Sequence, residues 1–172
     1  MKRTRFTNGR IYVDGHFQDT ELLVEDGRIA GFSGRADQVV DLGGRMLVPG
    51  FLDLHTHGGD GVDVNAATTE DLARIGRFFA KNVTTGWLCS ILTDTEAQTL
   101  WCIGQARAAM AAPITGAQLL GIHLEGPFLS TEYKGAMPEH LLQQGNADLF
   151  RRYQAAADGA VRYMTVSPEV EV

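Results

Sequence analysis

The chain has little cysteine: two residues in 172, Cys89 and Cys102. Two thiols cannot build a disulfide framework or a four-cysteine zinc site, and free cysteine usually behaves as a small buried apolar residue. Both are therefore expected in the core. An excess of positive charge is also lacking. Lys+Arg number 15 against 21 Asp+Glu, a net charge of -6, which argues against a nucleic-acid or anionic-membrane partner. No run approaches the ~18 apolar residues that a membrane span requires. The basic opening Met1 to Arg5 leads into Phe6-Thr7-Asn8-Gly9-Arg10 rather than an apolar stretch. No signal peptide is expected, and the cytoplasm is the expected location. There is no G-x-G-x-x-G after the first apolar strand and no Walker loop, so the usual phosphate-cradling fingerprints are missing.

What is present is a globular composition, 44% hydrophobic and 21% charged, enough for a packed core. Glycine is plentiful, 20 of 172, and without a period, which points to many tight turns. The first fifty residues read as short strands separated by turns. Asn8-Gly9 and Asp26-Gly27 are hairpin dipeptides, and Gly43-Gly44 is a further break, which suggests a small antiparallel β unit. The pattern changes at Pro49-Gly50. Apolar runs then begin at positions 51, 85, 118 and 161, a spacing of roughly 30–40 residues that suits repeated βα units. Between them lie helical stretches. Thr68-Thr69-Glu70-Asp71 offers a cap for the first, followed by acids in its opening turn. Thr93 or Asp94 is expected to cap the second, and Ala147 to Ala157 forms the third.

Chemistry concentrates at two strand ends. His55-Thr56-His57 closes the first apolar run, and side chains at i and i+2 of a strand share a face. Two neutral imidazoles on one face are a good pair of zinc or iron ligands. His123-Leu124-Glu125-Gly126-Pro127 closes the third run, with His123 and Glu125 sharing a face by the same period. The C-terminal ends of parallel strands are where α/β folds place their active sites. Gly58-Gly59-Asp60-Gly61-Val62-Asp63 reads as a loop against a ligand or as a tight βα connection, with Asp60 and Asp63 capping the helix. His16 and His140 have no paired context and are expected at the surface.

Val24-Glu25-Asp26-Gly27-Arg28-Ile29 and the stretch from Val48 to Gly58 resemble the opening of the amidohydrolase superfamily. His123-Leu124-Glu125-Gly126-Pro127-Phe128-Leu129, with Lys134-Gly135-Ala136 and Ser167-Pro168-Glu169, resembles one branch, the N-acetylglucosamine-6-phosphate deacetylases. The resemblance implies an α/β fold: the N-terminal portion of a metal-dependent (β/α)8 TIM barrel preceded by strands of a small β-sandwich. Residues 1–48 would belong to the sandwich and 49–172 to the first half of the barrel, so the chain reads as truncated. The implied activity is metal-dependent hydrolysis of the acetamide of N-acetylglucosamine-6-phosphate to glucosamine-6-phosphate and acetate. His55, His57 and Glu125 would hold a divalent metal, zinc or iron, as one or two ions. Substrate binding would fall to Gly58, Gly59, Ala136 and Met137. The family's aspartate and two further histidine ligands would lie beyond residue 172, leaving no catalytic residue within the chain. The partner implied is a small phosphorylated amino sugar, with no nucleic acid and no membrane. A full-length chain would have room for a family-like homodimer.

One position departs from the branch. A histidine usually follows Lys-Gly-Ala, and here Met137 stands in its place, unable to donate a hydrogen bond to a sugar hydroxyl. N-acetylgalactosamine-6-phosphate is therefore an alternative substrate. A non-catalytic half-barrel, binding metal or pairing with another chain, is a second alternative. A dihydroorotase-like cyclic amidase is disfavoured, since the last lysine, Lys134, precedes the fourth strand. A half barrel would leave its first and fourth strands as open edges, with Leu52, Leu54, Leu88, Ile122 and Leu124 expected to face water.

Overall fold

The structure, a computed structural model, describes residues 2–170, which fall into two compact units divided after Pro49. The first contains β1 (Arg3–Thr7), β2 (Arg10–Val13), β3 (His16–Asp19), β4 (Leu22–Glu25), β5 (Arg28–Gly31), β6 (Gln38–Asp41) and β7 (Met46–Leu47). They form two sheets, ordered β5-β4-β1-β6 and β3-β2-β7. Asp26-Gly27 makes the expected hairpin. Glu25 pairs with Arg28 across a two-residue turn whose φ angles, 47° and 78°, are both positive, as a tight hairpin of this type needs.

Asn8-Gly9 does not make a hairpin, because β1 and β2 run into different sheets. It forms a corner instead. A Cβ on Gly9 would lie 2.6 Å from the Arg45 carbonyl oxygen, so the corner requires glycine. Pairing is also mixed rather than antiparallel: β1 runs parallel to β6, and β2 parallel to β7. Among the described residues only Ile11, Leu22 and Leu23 of this unit are buried hydrophobics, a small core for its length.

The second unit contains β8 (Phe51–Thr56), β9 (Gly58–Gly59), β10 (Val62–Asp63), α1 (Thr69–Lys81), β11 (Thr84–Leu92), α2 (Glu96–Ala111), β12 (Gln118–Glu125), α3 (Ala147–Ala156) and β13 (Val161–Thr165). β8, β11, β12 and β13 form one parallel sheet in spatial order β13-β12-β11-β8. This is a half-barrel sheet within a mixed α/β fold. The helices begin where local chemistry dictates. Thr68 and Asp71 form a reciprocal capping box on α1, and Asn146 caps α3. α2 is capped by Thr95, whose side chain accepts from the Gln98 N–H, and not by Thr93 or Asp94. The Thr93 hydroxyl is committed elsewhere, donating to the Glu125 carbonyl at 2.8 Å.

The core lies between sheet and helices. Trp87, Cys89 and Ile91 of β11, with Ile122 and Leu124 of β12, pack against Leu72, Ile75, Cys102, Ile103, Leu149 and Tyr153. Burying one such aliphatic side chain contributes roughly 1.5–3 kcal/mol. Burial pushes the Cys89 thiol up to about 12 and Cys102 up to about 11, so both remain neutral apolar packing groups at neutral pH. Ile122, Leu124 and Leu88 are thus not exposed. His123 and Glu125 occupy the other face of β12, so the residues between and beside them must turn toward the helices. The pairing of β11 with β12 shifts register between Trp87 and Leu88. Leu52 and Leu54 do face solvent, 61% and 54% exposed, together with Phe51 and Tyr163. Among the described residues, no helix is long and apolar enough to cross a membrane.

Val83 leads from α1 into β11 with φ at 61°, while its side chain is 62% exposed. A β-branched residue in the left-handed region is strained, by roughly 1–3 kcal/mol, and here little burial offsets that strain. Val83→Gly is expected to stabilise the chain even after glycine's own entropic cost of ~0.5–1 kcal/mol. A thermal melt should show a midpoint raised by about 1–4 °C, the usual conversion for a chain of this size. An unchanged or lowered midpoint would contradict the strain argument.

Candidate metal centre

The C-terminal ends of the parallel strands bring His55, His57 and Glu125 together, each offering one donor atom, all within 4.8 Å of one another. His55 Nε2 lies 3.1 Å from His57 Nε2 and 3.2 Å from Glu125 Oε2, and His57 Nε2 lies 2.8 Å from Glu125 Oε2. Ligand atoms held ~2.0–2.2 Å from one zinc-sized ion stand about 2.8–3.1 Å apart at right-angled ligand positions and about 3.3–3.6 Å apart at tetrahedral ones, a span of roughly 2.8–3.6 Å. The triangle therefore fits one face of such an ion's coordination shell.

The tautomers agree with this use. His57 Nδ1 lies 3.1 Å from the Ser90 carbonyl oxygen. A carbonyl only accepts, so His57 carries its proton on Nδ1 and presents the Nε2 lone pair to the cluster. Orientation of a ligand imidazole through its second nitrogen is the usual support for a metal-binding histidine. Glu125 is fixed through its backbone: Thr93 Oγ1 donates to its carbonyl, and the next N–H, of Gly126, donates to the Thr165 carbonyl at 3.2 Å.

His123 is fully buried beside this cluster. Its ring packs edge-on against His55, with centroids 4.6 Å apart, and stacks on Tyr163 at 4.4 Å. Burial, assisted by His55, pushes His123 down to about 4 despite the opposing pull of Glu125. It is neutral at physiological pH.

The glycine stretch is more ordered than a loop. Gly58 and Gly59 pair with Asp63 and Val62 as β9 and β10. At Gly58, φ is +146° and a Cβ would sit 1.9 Å from the Val62 carbonyl oxygen. Close backbone approach thus explains Gly58 without a ligand. Asp63 caps the short 3-10 turn Val64–Ala66, whereas Asp60 pairs with Arg74 on α1. Ala136 is exposed, Met137 is 5% exposed, and Lys134 Nζ donates to the Met137 carbonyl. His16 and His140 are exposed, apart from the cluster. Ser90, Thr165 and Tyr163 were not foreseen as neighbours of the site. The available signal was polarity: Ser90 is a hydroxyl inside the apolar stretch Trp87 to Leu92, where burial demands a hydrogen-bond partner.

No family model matches the chain. Curated relatives do. The N-acetylglucosamine-6-phosphate deacetylase of Homo sapiens is 35% identical over 96% of this chain and 43% of that protein. The Bacillus subtilis enzyme of the same name is 35% identical over 72% of this chain and 32% of its own length. An N-acetylgalactosamine-6-phosphate deacetylase of Escherichia coli O157:H7 is 30% identical over 92% of this chain and 42% of that protein. Among solved structures, a mutant N-acetyl-D-glucosamine-6-phosphate deacetylase from Mycobacterium smegmatis, in complex with N-acetyl-D-glucosamine-6-phosphate, aligns with a TM-score of 0.84. It is 27% identical and covers 99% of this chain and 45% of that one. L-hydantoinase from Arthrobacter aurescens, 18% identical with a TM-score of 0.50 over 100% of this chain and 35% of that one, shares the fold alone. The chain spans less than half the length of the curated relatives it matches. In sequence and in fold it is similar over nearly its whole length to part of the N-acetylglucosamine-6-phosphate deacetylases.

Proposed function

We propose that this chain carries the first metal-binding elements of an N-acetylhexosamine-6-phosphate deacetylase, with N-acetylglucosamine-6-phosphate as substrate. The observation that carries the reading is the convergence of His55, His57 and Glu125 donor atoms into one triangle at the strand ends. These residues would hold a divalent ion, zinc or iron, with room for a second in a chain that supplies further ligands. Such an ion polarises an amide carbonyl and lowers the pKa of bound water. The residues present then have positional roles. The Ser90 carbonyl aims His57, and Glu125 contributes the negative charge that balances the cation. Gly58 and Gly59 would present main-chain groups to the sugar, and Ala136 and Met137 would lie along its path. In a chain of the relatives' length, the half-barrel sheet would close into a (β/α)8 barrel, and residues 1–48 would join a small β-sandwich. A homodimer and a cytoplasmic setting complete the reading, with no nucleic-acid or membrane partner.

A second substrate is favoured by one feature. On the family resemblance, Met137 stands where a histidine associated with substrate contact usually follows Lys-Gly-Ala, which supports N-acetylgalactosamine-6-phosphate as the alternative. Acetate release from the two sugar phosphates, by a chain extended to its relatives' length, tests both. If glucosamine is the sugar, Met137→His should raise kcat/KM for its N-acetyl-6-phosphate about two- to twelve-fold, the worth of one neutral hydrogen bond of ~0.5–1.5 kcal/mol. A fall for that substrate, with faster turnover of the galactosamine compound by the unaltered chain, would move the assignment to the second sugar. Absence of acetate from either would remove the deacetylase reading.

A further inference from the structure

Ser90 is fully buried and holds the segment between the two histidines in two ways. Its carbonyl accepts from His57 Nδ1, and its Oγ accepts from the Thr56 N–H at 2.9 Å. The hydroxyl has one proton to give, and the acceptor facing it is His123 Nδ1, at 2.8 Å. His123 Nδ1 is therefore bare and its proton is on Nε2, which donates to Thr165 Oγ1 at 2.9 Å. One run of hydrogen bonds thus crosses the whole sheet, from Thr56 on β8 through Ser90 on β11 and His123 on β12 to Thr165 on β13. Both nitrogens of His123 are consumed by it, so this histidine has no lone pair left for an ion, although its ring touches that of His55.

We propose that His123 is a positioning residue for the His55–His57–Glu125 cluster, held as the Nε2–H tautomer so that the hydrogen-bond run and the ring contact together fix where the two ligand imidazoles stand. The proposal rests on the reading of that cluster as a metal site. A buried polar run of this kind acts as a unit: each member is costly to leave unpartnered, and its geometry is relayed to the next.

The test is cobalt(II) titration of the chain, followed by visible absorption, for the unaltered protein and for His123→Leu, His123→Gln and Ser90→Ala. Loss of an outer partner of a metal ligand typically weakens metal binding about 10–100-fold. His123→Leu and Ser90→Ala keep the Ser90 carbonyl on His57 and remove support one step further out, so each should cost about 10-fold, the low end of that range, and change the ligand-field spectrum, and their effects should combine less than additively. Glutamine offers one acceptor and one donor, so His123→Gln should recover most of the affinity. In parallel, nitrogen–proton correlation spectra of the metal-free chain should show His123 protonated on Nε2 and bare on Nδ1. Cobalt affinity unaltered in the leucine variant, a glutamine variant no better than leucine, or a proton on Nδ1 would each overturn the proposal. A chain that takes up no cobalt would instead sink the metal reading, and the tautomer spectrum would still decide the positioning role. If His123→Leu fails to fold, Ser90→Ala and His123→Gln carry the comparison.

Discussion

Replacing His55 and His57 together by alanine is expected to weaken divalent-metal binding by more than about 100-fold. Outer-shell changes alone cost up to ~100-fold, and this variant removes two direct donors of a three-donor set. What remains is one carboxylate, Glu125, which on its own resembles the many surface carboxylates that hold no ion. Metal retained by the chain after gel filtration should fall from about one ion to background, a closed zinc-type set needing three or four protein ligands. Both histidines have exposed side chains, 47% and 37%, so the loss should occur without unfolding. In a chain extended to its relatives' length, acetate release should fall in parallel. Retained metal in the double variant would remove the site assignment.

The second large effect concerns the open face of the half-barrel sheet. Residues 1–172 alone are expected to associate and to show no deacetylation. β8 and β13 are the edge strands of the parallel sheet, and an unpaired edge is a template for pairing with another chain. Phe51, Leu52 and Leu54 on β8, with Tyr163 on β13, are 67%, 61%, 54% and 47% exposed. A cluster of exposed large apolar side chains beside unpaired edges drives association. Light scattering at rising concentration should give a mass above that of one chain. Leu52→Lys with Leu54→Lys should shift it toward the monomer, since charge on an edge strand opposes pairing. The catalytic half rests on the family resemblance, which assigns proton transfer to an aspartate that is not part of the His55–His57–Glu125 cluster; three donors hold an ion but handle no proton. A monodisperse monomer that melts cooperatively and turns over near ~1 s⁻¹ or faster, the ordinary enzyme range, would defeat both halves.

Much of this was legible in the sequence, for identifiable reasons. The four parallel strands announced themselves because each is a short apolar run bounded by turn residues, and the helices because capping residues precede periodic apolar positions. Strand period placed His55 with His57 and His123 with Glu125, each pair on one face; which three of the four would act as ligands came from the family resemblance. What stayed hidden depends on long-range pairing. Nothing local says that β1 and β2 part into different sheets, or that β1 runs parallel to β6. The facing of Ile122 and Leu124 was legible and overlooked: the period that puts His123 and Glu125 on one face of β12 puts these two on the other. Ser90 and Thr165 were silent because a single hydroxyl in a strand gains meaning only once its neighbours across the sheet are known.

The pairing of His55 with Glu125 joins positions 70 residues apart. An ion bound by both would act as a clip closing that loop of chain, and only after β8, β11 and β12 have aligned. Ligand binding and sheet assembly are then one equilibrium. The unfolded chain scatters the three donors, so the ion favours the folded state by RT ln(1 + [metal]/Kd), about 2.7 kcal/mol when free metal is 100 times Kd. With such an ion bound, the melting temperature would become a function of free metal concentration, and a chelator would act as a denaturant of the half-barrel unit.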